Sequence, residues 1–191
     1  MKTKIVILAA GKSKRMESLE PKVLLPIGEK QMIFYLLDTV LKTGIDPKPV
    51  VVVGDKAKQV KDALGDRCEY VLQEDQLGTG HAVLCAEKLL REEADAIFVL
   101  YGDTPRIQAS TMKKIIELHR KESPEITMAT TTIKDFEDWR KPLYDFGRIV
   151  RNQKGEIQAI IEKKDATPEQ LAIRELNPSF FCFKAEWLWN N

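Results

Sequence analysis

Apolar positions along the chain gather into two kinds of segment: short unbroken runs and stripes at helical spacing. Lys4 to Leu8, Pro49 to Val53 and Ala96 to Tyr101 are continuous apolar runs rich in β-branched residues, which predicts strands buried on both faces. Between them, Gln31 to Lys42 places Met32, Ile33, Leu36, Leu37, Val40 and Leu41 on one helical stripe, and Gly44 ends it. Lys56 to Leu64 turns Ala57, Val60 and Leu64 inward and stops at Gly65. A short strand is predicted at Glu69 to Leu72, then a helix over Ala82 to Glu93 with Ala82, Val83, Ala86, Leu89 and Leu90 inward. Ser110 to Lys121 aligns Met112, Ile115, Ile116 and His119, and Ile126 to Ile133 reads as one more strand. Strand and helix in alternation imply βαβ units and a mostly parallel sheet. The last third differs. Gly147 to Arg151, Glu156 to Glu162 and Ser179 to Lys184 read as strands with little helix between them, and Asp135 to Asp145 as a loop or short helical insertion. Ala185 to Trp189 begins an apolar helix that the sequence does not complete before Asn191, so the expectation is a segment cut from a longer protein.

Composition narrows the picture modestly. The 191 residues fit one domain, or one domain with a small appendage, and 43% hydrophobic residues supply a core. Thirty Lys and Arg against 29 Asp and Glu give a net charge of +1 with no basic stripe, which argues against nucleic acid as the main partner. Cys68, Cys85 and Cys182 are far apart and form no CxxC pair; a structural zinc site is not expected, and a reduced, cytoplasmic protein is. The apolar run from Ile5 to Ala10 is too short for a signal peptide, and no run approaches membrane-spanning length.

Four short motifs follow predicted strand ends, where ligands bind in open α/β sheets. LAAGKSKRM (Leu8 to Met16) puts a glycine and the cations Lys12, Lys14 and Arg15 directly after the first strand, a setting for phosphate; the alternative is a solvated basic turn. It is no Walker loop, because Val6 stands where that motif needs glycine. In PKVLLPI (Pro21 to Ile27) Lys22 is either a second phosphate cation or an ordinary exposed lysine. QEDQLGTGHA (Gln73 to Ala82) brings backbone donors and the Thr79 hydroxyl to a helix start, and Gln73 suits the edge of a nucleobase. His81 there is either a base or, by preference, a locally bonded helix-start histidine. In FVLYGDTP (Phe98 to Pro105) Asp103 leaves a buried strand as either a magnesium ligand or a turn former.

Taken together and in this order, LAAG-x-x-x-RM, PKVL, QLGTGHA and YGD-x-P resemble the uridylyltransferase domain of the bifunctional bacterial enzymes that make UDP-N-acetylglucosamine, within the sugar nucleotidylyltransferase superfamily. FGRIV, IIEKKDAT and ELN continue the likeness over nearly the whole chain. The resemblance implies a Rossmann-like three-layer αβα nucleotidyltransferase fold with a mostly parallel mixed sheet. It would form one domain over residues 1–191, incomplete at its C-terminus, with Gly147 onward forming the sugar side. It implies transfer of UMP from UTP to N-acetylglucosamine 1-phosphate with release of pyrophosphate, a step toward peptidoglycan. A related enzyme with another base or sugar, or a binding domain without turnover, stays open. By position, Leu8, Ala9, Ala10 and Gly11 would contact the nucleotide through the backbone. Arg15 and Lys22 would hold the phosphates. Gln73, Gly78 and Thr79 would read uracil and ribose. Asp103, beside Gly102, would bind Mg2+. Tyr101, Gly147, Glu162 and Asn177 would hold the amino sugar. Partners would be small molecules, with trimers if a C-terminal β-helix acetyltransferase domain exists. The sequence departs from the family at Ser13 and Lys14, which replace Gly and Thr, and at Phe146, which replaces Tyr. It departs again at Pro178-Ser179 after Asn177 and in a longer segment before Gly147. The family's second magnesium ligand, an asparagine, would lie beyond Asn191.

Overall fold

A computed structural model of the chain describes residues 1–11 and 20–191. By contact density these divide into two compact units, Met1–Thr127 with Phe181–Asn191, and Met128–Phe180.

In the first unit, β1 (Thr3–Ala9) leads to a small antiparallel ribbon, β2 (Pro26–Ile27) and β3 (Lys30–Gln31), and then to α1 (Met32–Thr43). Gly44 ends α1 in the left-handed conformation at φ 69°, a geometry that favours glycine. There follow β4 (Val50–Val53), α2 (Ala57–Leu64), β5 (Glu69–Leu72), α3 (Thr79–Leu84), α4 (Glu87–Leu90), β6 (Ala96–Tyr101), α5 (Ala109–Glu122) and β7 (Ile126–Met128). In the second unit are β8 (Thr131–Thr132), β9 (Gly147–Arg151), β10 (Ile157–Ile161), α6 (Pro168–Leu171) and β11 (Glu175–Asn177). The chain then returns to the first unit through β12 (Phe181–Lys184) and α7 (Ala185–Asn190).

The large sheet has the order β5-β4-β1-β6-β12-β7. The pairs β5–β4, β4–β1 and β1–β6 are parallel, and β12 runs antiparallel to β6. Side chains alternate between its faces. Val6, Leu8, Val50, Val52, Ile97 and Val99 pack in one buried cluster with Ala82 and Val83 of α3, Ala86 of the junction, Leu90 of α4 and Trp189 of α7. Ile5, Ile7, Val51, Val53, Phe98 and Leu100 alternate with these and are just as buried, as are the apolar stripes of α1 (Ile33, Leu36, Leu37, Val40) and α5 (Met112, Ile115). Helices on both faces of a mostly parallel sheet give the three-layer arrangement that the alternating pattern predicts. Because β4 and β5 are added on one side of β1 and β6 on the other, the strand order reverses beside β1. Open α/β sheets form their ligand crevice at such a switch point.

Two elements differ from their sequence expectation. The helix predicted over Ala82 to Glu93 starts earlier, at Thr79, and is two short helices joined through Cys85 and Ala86. There the bonding tightens from Cys85 N–H→His81 O (3.0 Å) to Ala86 N–H→Val83 O (2.9 Å). The change of pitch takes Leu89 off the buried stripe, leaving it 37% exposed. The strand predicted over Ile126 to Ile133 splits into β7 and β8, which join different sheets.

The second unit is built on an antiparallel sheet of order β10-β9-β11-β8. Residues Asp138–Asp145 form a 3-10 segment containing Pro142, the second of the two readings, loop or short helical insertion, of that stretch. Thr167 caps α6 with a full capping box to Gln170. Among the described residues, no helix is long and apolar enough to cross a membrane.

Candidate active site

At the carboxyl ends of β1 and β6, at the switch point, lies a cleft of about 360 Å³. Leu8, Ala9, Ala10, Gly11, Lys22, Gln73, Gly78, Thr79, Tyr101 and Asp103, all singled out from the sequence, line it. Motifs scattered over a hundred positions are neighbours because parallel strands deliver all their carboxyl ends to one edge of the sheet. Arg15 lies outside the described residues, as do Lys12, Ser13 and Lys14 of the same loop.

Lys22 opens a 3-10 turn, Lys22–Leu24, held by Leu24 N–H→Pro21 O at 2.9 Å. Its neighbours Val23 and Leu24 are buried, which anchors the turn and leaves the ammonium beside the cleft. The Lys22 Nζ donates to Asp103 Oδ2 at 2.7 Å, with both side chains more than a third exposed. A cation and a carboxylate thus meet at the end of β6. Gly102 stands behind them and not on the lining. Its N–H donates to Leu8 O at 2.9 Å, and a Cβ there would come within 2.8 Å of Val23 Cγ1 and 3.1 Å of Leu8 O. Glycine at 102 therefore lets β6 turn out against β1 and Val23.

Gln73 follows β5 and is 3% exposed. Its backbone N–H extends the parallel ladder to Val53 O at 2.8 Å, and its Nε2 donates to Gly78 O at 3.0 Å. The same Nε2 lies 3.1 Å from His81 Nδ1, while His81 Nε2 faces Cys85 Sγ at 4.0 Å. His81 thus makes local contacts and does not line the cleft, in line with the helix-start reading. Burial raises the Cys85 thiol above its ordinary range, so it offers no ready thiolate. Gly78, at φ 114°, turns the chain into α3 in a conformation open to glycine.

Two lining residues and one behind the cleft wall escaped sequence reasoning. Gln76 lines the cleft and donates from Nε2 to Ala10 O at 2.7 Å. Val23 forms part of the wall. Gly54, just beyond β4, lies so close to Ala10 that a Cβ would sit 2.6 Å from the Ala10 oxygen. The second glutamine in QEDQLG carries no signal of its own until the fold brings it across to Ala10.

Within the second unit the other three sequence candidates also meet. Asn177 of β11 lies opposite Gly147 of β9 in register. A Cβ on Gly147 would come within 3.1 Å of Glu162 Oε1, so glycine leaves room for that carboxylate. Asn177 is 8% exposed, and its Oδ1 accepts the Ser179 N–H at 2.8 Å. Among the described residues there is no cluster of three His, Cys, Asp or Glu that could hold a metal alone. Asp103 on the cleft is a single carboxylate, a donor set suited to Mg2+ that keeps waters and shares phosphate oxygens.

The chain is similar over most of its length to known proteins. The chain is 39% identical over 190 residues to the bifunctional protein GlmU of Caldicellulosiruptor saccharolyticus, covering 99% of the chain and 40% of that protein. It is 42% identical over 184 residues to the bifunctional protein GlmU of Shouchella clausii, covering 96% of the chain and 39% of the relative. The chain therefore spans about 40% of the length of these curated relatives. Among solved structures, UDP-glucose pyrophosphorylase complexed with UDP-glucose superposes with a TM-score of 0.75 at 20% identity, over 97% of this chain and 77% of that one. A CMP:2-keto-3-deoxy-manno-octonic acid synthetase complexed with CTP gives 0.74 at 19%, over 100% and 77%; both likenesses establish the fold. The sequence profile that matches residues 5–167 spans β1, the cleft and most of the second unit, and by that match the chain belongs to the MobA-like NTP transferase domain family.

Proposed function

We propose that this chain carries the uridylyltransferase activity that joins UMP from UTP to N-acetylglucosamine 1-phosphate, giving UDP-N-acetylglucosamine and pyrophosphate. The observation that carries the reading is the convergence of Leu8 to Gly11, Lys22, Gln73, Gly78, Thr79 and Asp103 on one cleft at the switch point of the sheet. Membership of an NTP transferase family and identity near 40% to GlmU proteins support it. Residues 1–191 would act as one nucleotidyltransferase domain, the first unit handling nucleotide and the second, through Gly147, Glu162 and Asn177, the amino sugar.

In this reading a phosphate oxygen of the sugar phosphate attacks the α-phosphorus of UTP in line. The bond from that phosphorus to the bridging oxygen breaks, and pyrophosphate leaves with the electron pair. Such catalysis is mainly positioning and charge neutralisation. The Lys22–Asp103 pair holds a cation ready at neutral overall charge. An arriving triphosphate draws the Lys22 ammonium toward the α-phosphate and frees the Asp103 carboxylate. Asp103 would then hold Mg2+ together with phosphate oxygens, and the ion would neutralise their charge. Arg15 would steady the leaving pyrophosphate, the backbone of Leu8 to Gly11 would cradle the nucleotide, and Tyr101 would contact the sugar phosphate. Gln73 has its amide nitrogen engaged by Gly78 O, and its carbonyl oxygen would serve as the acceptor for a base N–H.

The test is pyrophosphate release from UTP and N-acetylglucosamine 1-phosphate, with CTP, dTTP and GTP and with other sugar phosphates in parallel. The expected result is a magnesium-dependent rate highest for UTP with the amino-sugar phosphate. Asp103→Asn should lower that rate at least about a hundredfold while moving Tm by no more than a few degrees. A higher rate with another base or sugar overturns the assigned specificity. Tight UTP binding with no turnover overturns the enzymatic reading in favour of a binding domain.

A further inference from the structure

We propose that Gln76 is a positioning residue for nucleotide binding, clamping the Ala10 carbonyl, and that Gly54 is glycine to leave room for that clamp. The proposal rests on reading the cleft as a nucleotide site. The β1–β4 ladder stops at the Ala9–Val53 pair, so the carbonyl of Ala10 comes after the last strand partner on that side. Leu8 O, two residues earlier, is taken by Gly102. Ala10 is 5% exposed, and a buried carbonyl must find a donor. Gln76 supplies it at 2.7 Å from a point 66 residues away in sequence. This bond ties the loop after β5 to the loop after β1 across the cleft that both residues line.

The space for that bond depends on Gly54. A Cβ there would lie 2.6 Å from Ala10 O and 2.8 Å from Gln76 Nε2, closer than real side chains approach. Gly54 does not adopt a left-handed φ, so the requirement is for room and not for backbone freedom. Gly11, by contrast, has none of the described residues within 4 Å of its Cβ position. Within a trans peptide the C=O and N–H point in opposite directions, so fixing Ala10 O also fixes the direction of the Gly11 N–H. A donor held in one orientation needs no reordering when an anion arrives.

Two measurements separate the clamp from the nucleotide reading. In the ligand-free chain, amide exchange at Gly11 should be about tenfold faster in Gln76→Ala and in the isosteric Gln76→Glu, which keeps the volume and loses the donor. UTP titrated with magnesium should bind about tenfold more weakly to the same variants. Gly54→Ala should do likewise, and the Gly54→Ala/Gln76→Ala double variant should be no weaker than the worse single one, because both remove the same bond. Gln76→Glu carries the test if Gly54→Ala fails to fold. Parental exchange and affinity in Gln76→Glu overturn the proposal, and additive losses in the double variant overturn the role of Gly54. Faster exchange in variants of a chain that binds no UTP overturns the nucleotide reading and leaves the clamp standing.

Discussion

His119 shows how much a single side chain's setting decides. It sits on the inward stripe of α5, 2% exposed, with Nδ1 2.9 Å from the Thr127 hydroxyl. Burial lowers its pKa from the ordinary 6.5, so the native state keeps the ring neutral where an unfolded chain would protonate it. The unfolded state then binds more protons, and stability falls as pH drops through 6.5 toward the lower folded value, levelling below it. Urea unfolding between about pH 7.5 and about pH 5.5 should show that fall, and His119→Gln should flatten it. An equal slope in the variant would assign the pH dependence to other groups. The site was legible residue by residue where a residue type carries its own chemistry. Asp103 and Gln73 offer a carboxylate and an amide at predicted strand ends, Lys22 offers a cation between a proline and an apolar run, and each lines the cleft. Gln76 and Gly54 were not legible, because their significance is an approach to Ala10 that only tertiary structure creates.

Whole elements were readable where one period dominated. The valine run of β4 and the stripes of α1 and α5 fall where the pattern puts them, because fully buried strands and one-sided helices impose incompatible spacings. The split of the segment from Ile126 into β7 and β8 had no such signal: ITMATTTI contains neither glycine nor proline. The break comes from partners elsewhere, since Ala129 N–H donates to Phe180 O and Ile133 N–H to Arg174 O, both at 3.1 Å. The opening of β1 likewise depends on a distant residue. Asp46, 1% exposed, accepts the Ile5 N–H and the Lys4 ammonium, both at 2.8 Å, and the Lys48 N–H at 3.2 Å. It joins the turn after α1 to the first strand, and the Lys4 side chain is itself largely buried. Removing one partner of a buried pair strands the other, so Asp46→Ala should cost about 3–5 kcal/mol in urea unfolding. Asp46→Asn, which keeps an acceptor for Ile5, should cost less; equal losses would assign the effect to the charge alone.

At the scale of the molecule, the division into two units follows the change in sequence texture, from alternating strands and helices to closely spaced short strands. The second unit has little purely apolar core of its own. Ile149 and Leu176 are buried there, and beside them Arg148, 0% exposed, is the largest fully buried side chain. Its guanidinium donates to the carbonyls of Phe146, Tyr144 (3.1 Å) and Leu171 (3.4 Å). It also lies over the rings of Phe136 at 4.9 Å and Tyr144 at 5.0 Å. One side chain thus gathers the 3-10 insertion, β9 and the end of α6, which strand pairing alone does not connect. A planar fork reaches several carbonyls at once, whereas an ammonium does not, so lysine is no substitute. Arg148→Met keeps most of the volume and the aromatic packing but takes the donor away from three carbonyls that are partly buried. A hydrogen bond from a charged donor is worth about 1.5–3 kcal/mol, so the second unit should lose several kcal/mol. Native-state hydrogen exchange should register this as faster exchange confined to Met128–Phe180, with the β1, β4 and β6 amides protected as in the parent. Exchange rising equally in both units would mean that they unfold as a single cooperative body. Parental protection throughout would mean that the strand pairing of β9 and β11, and not Arg148, holds the second unit together.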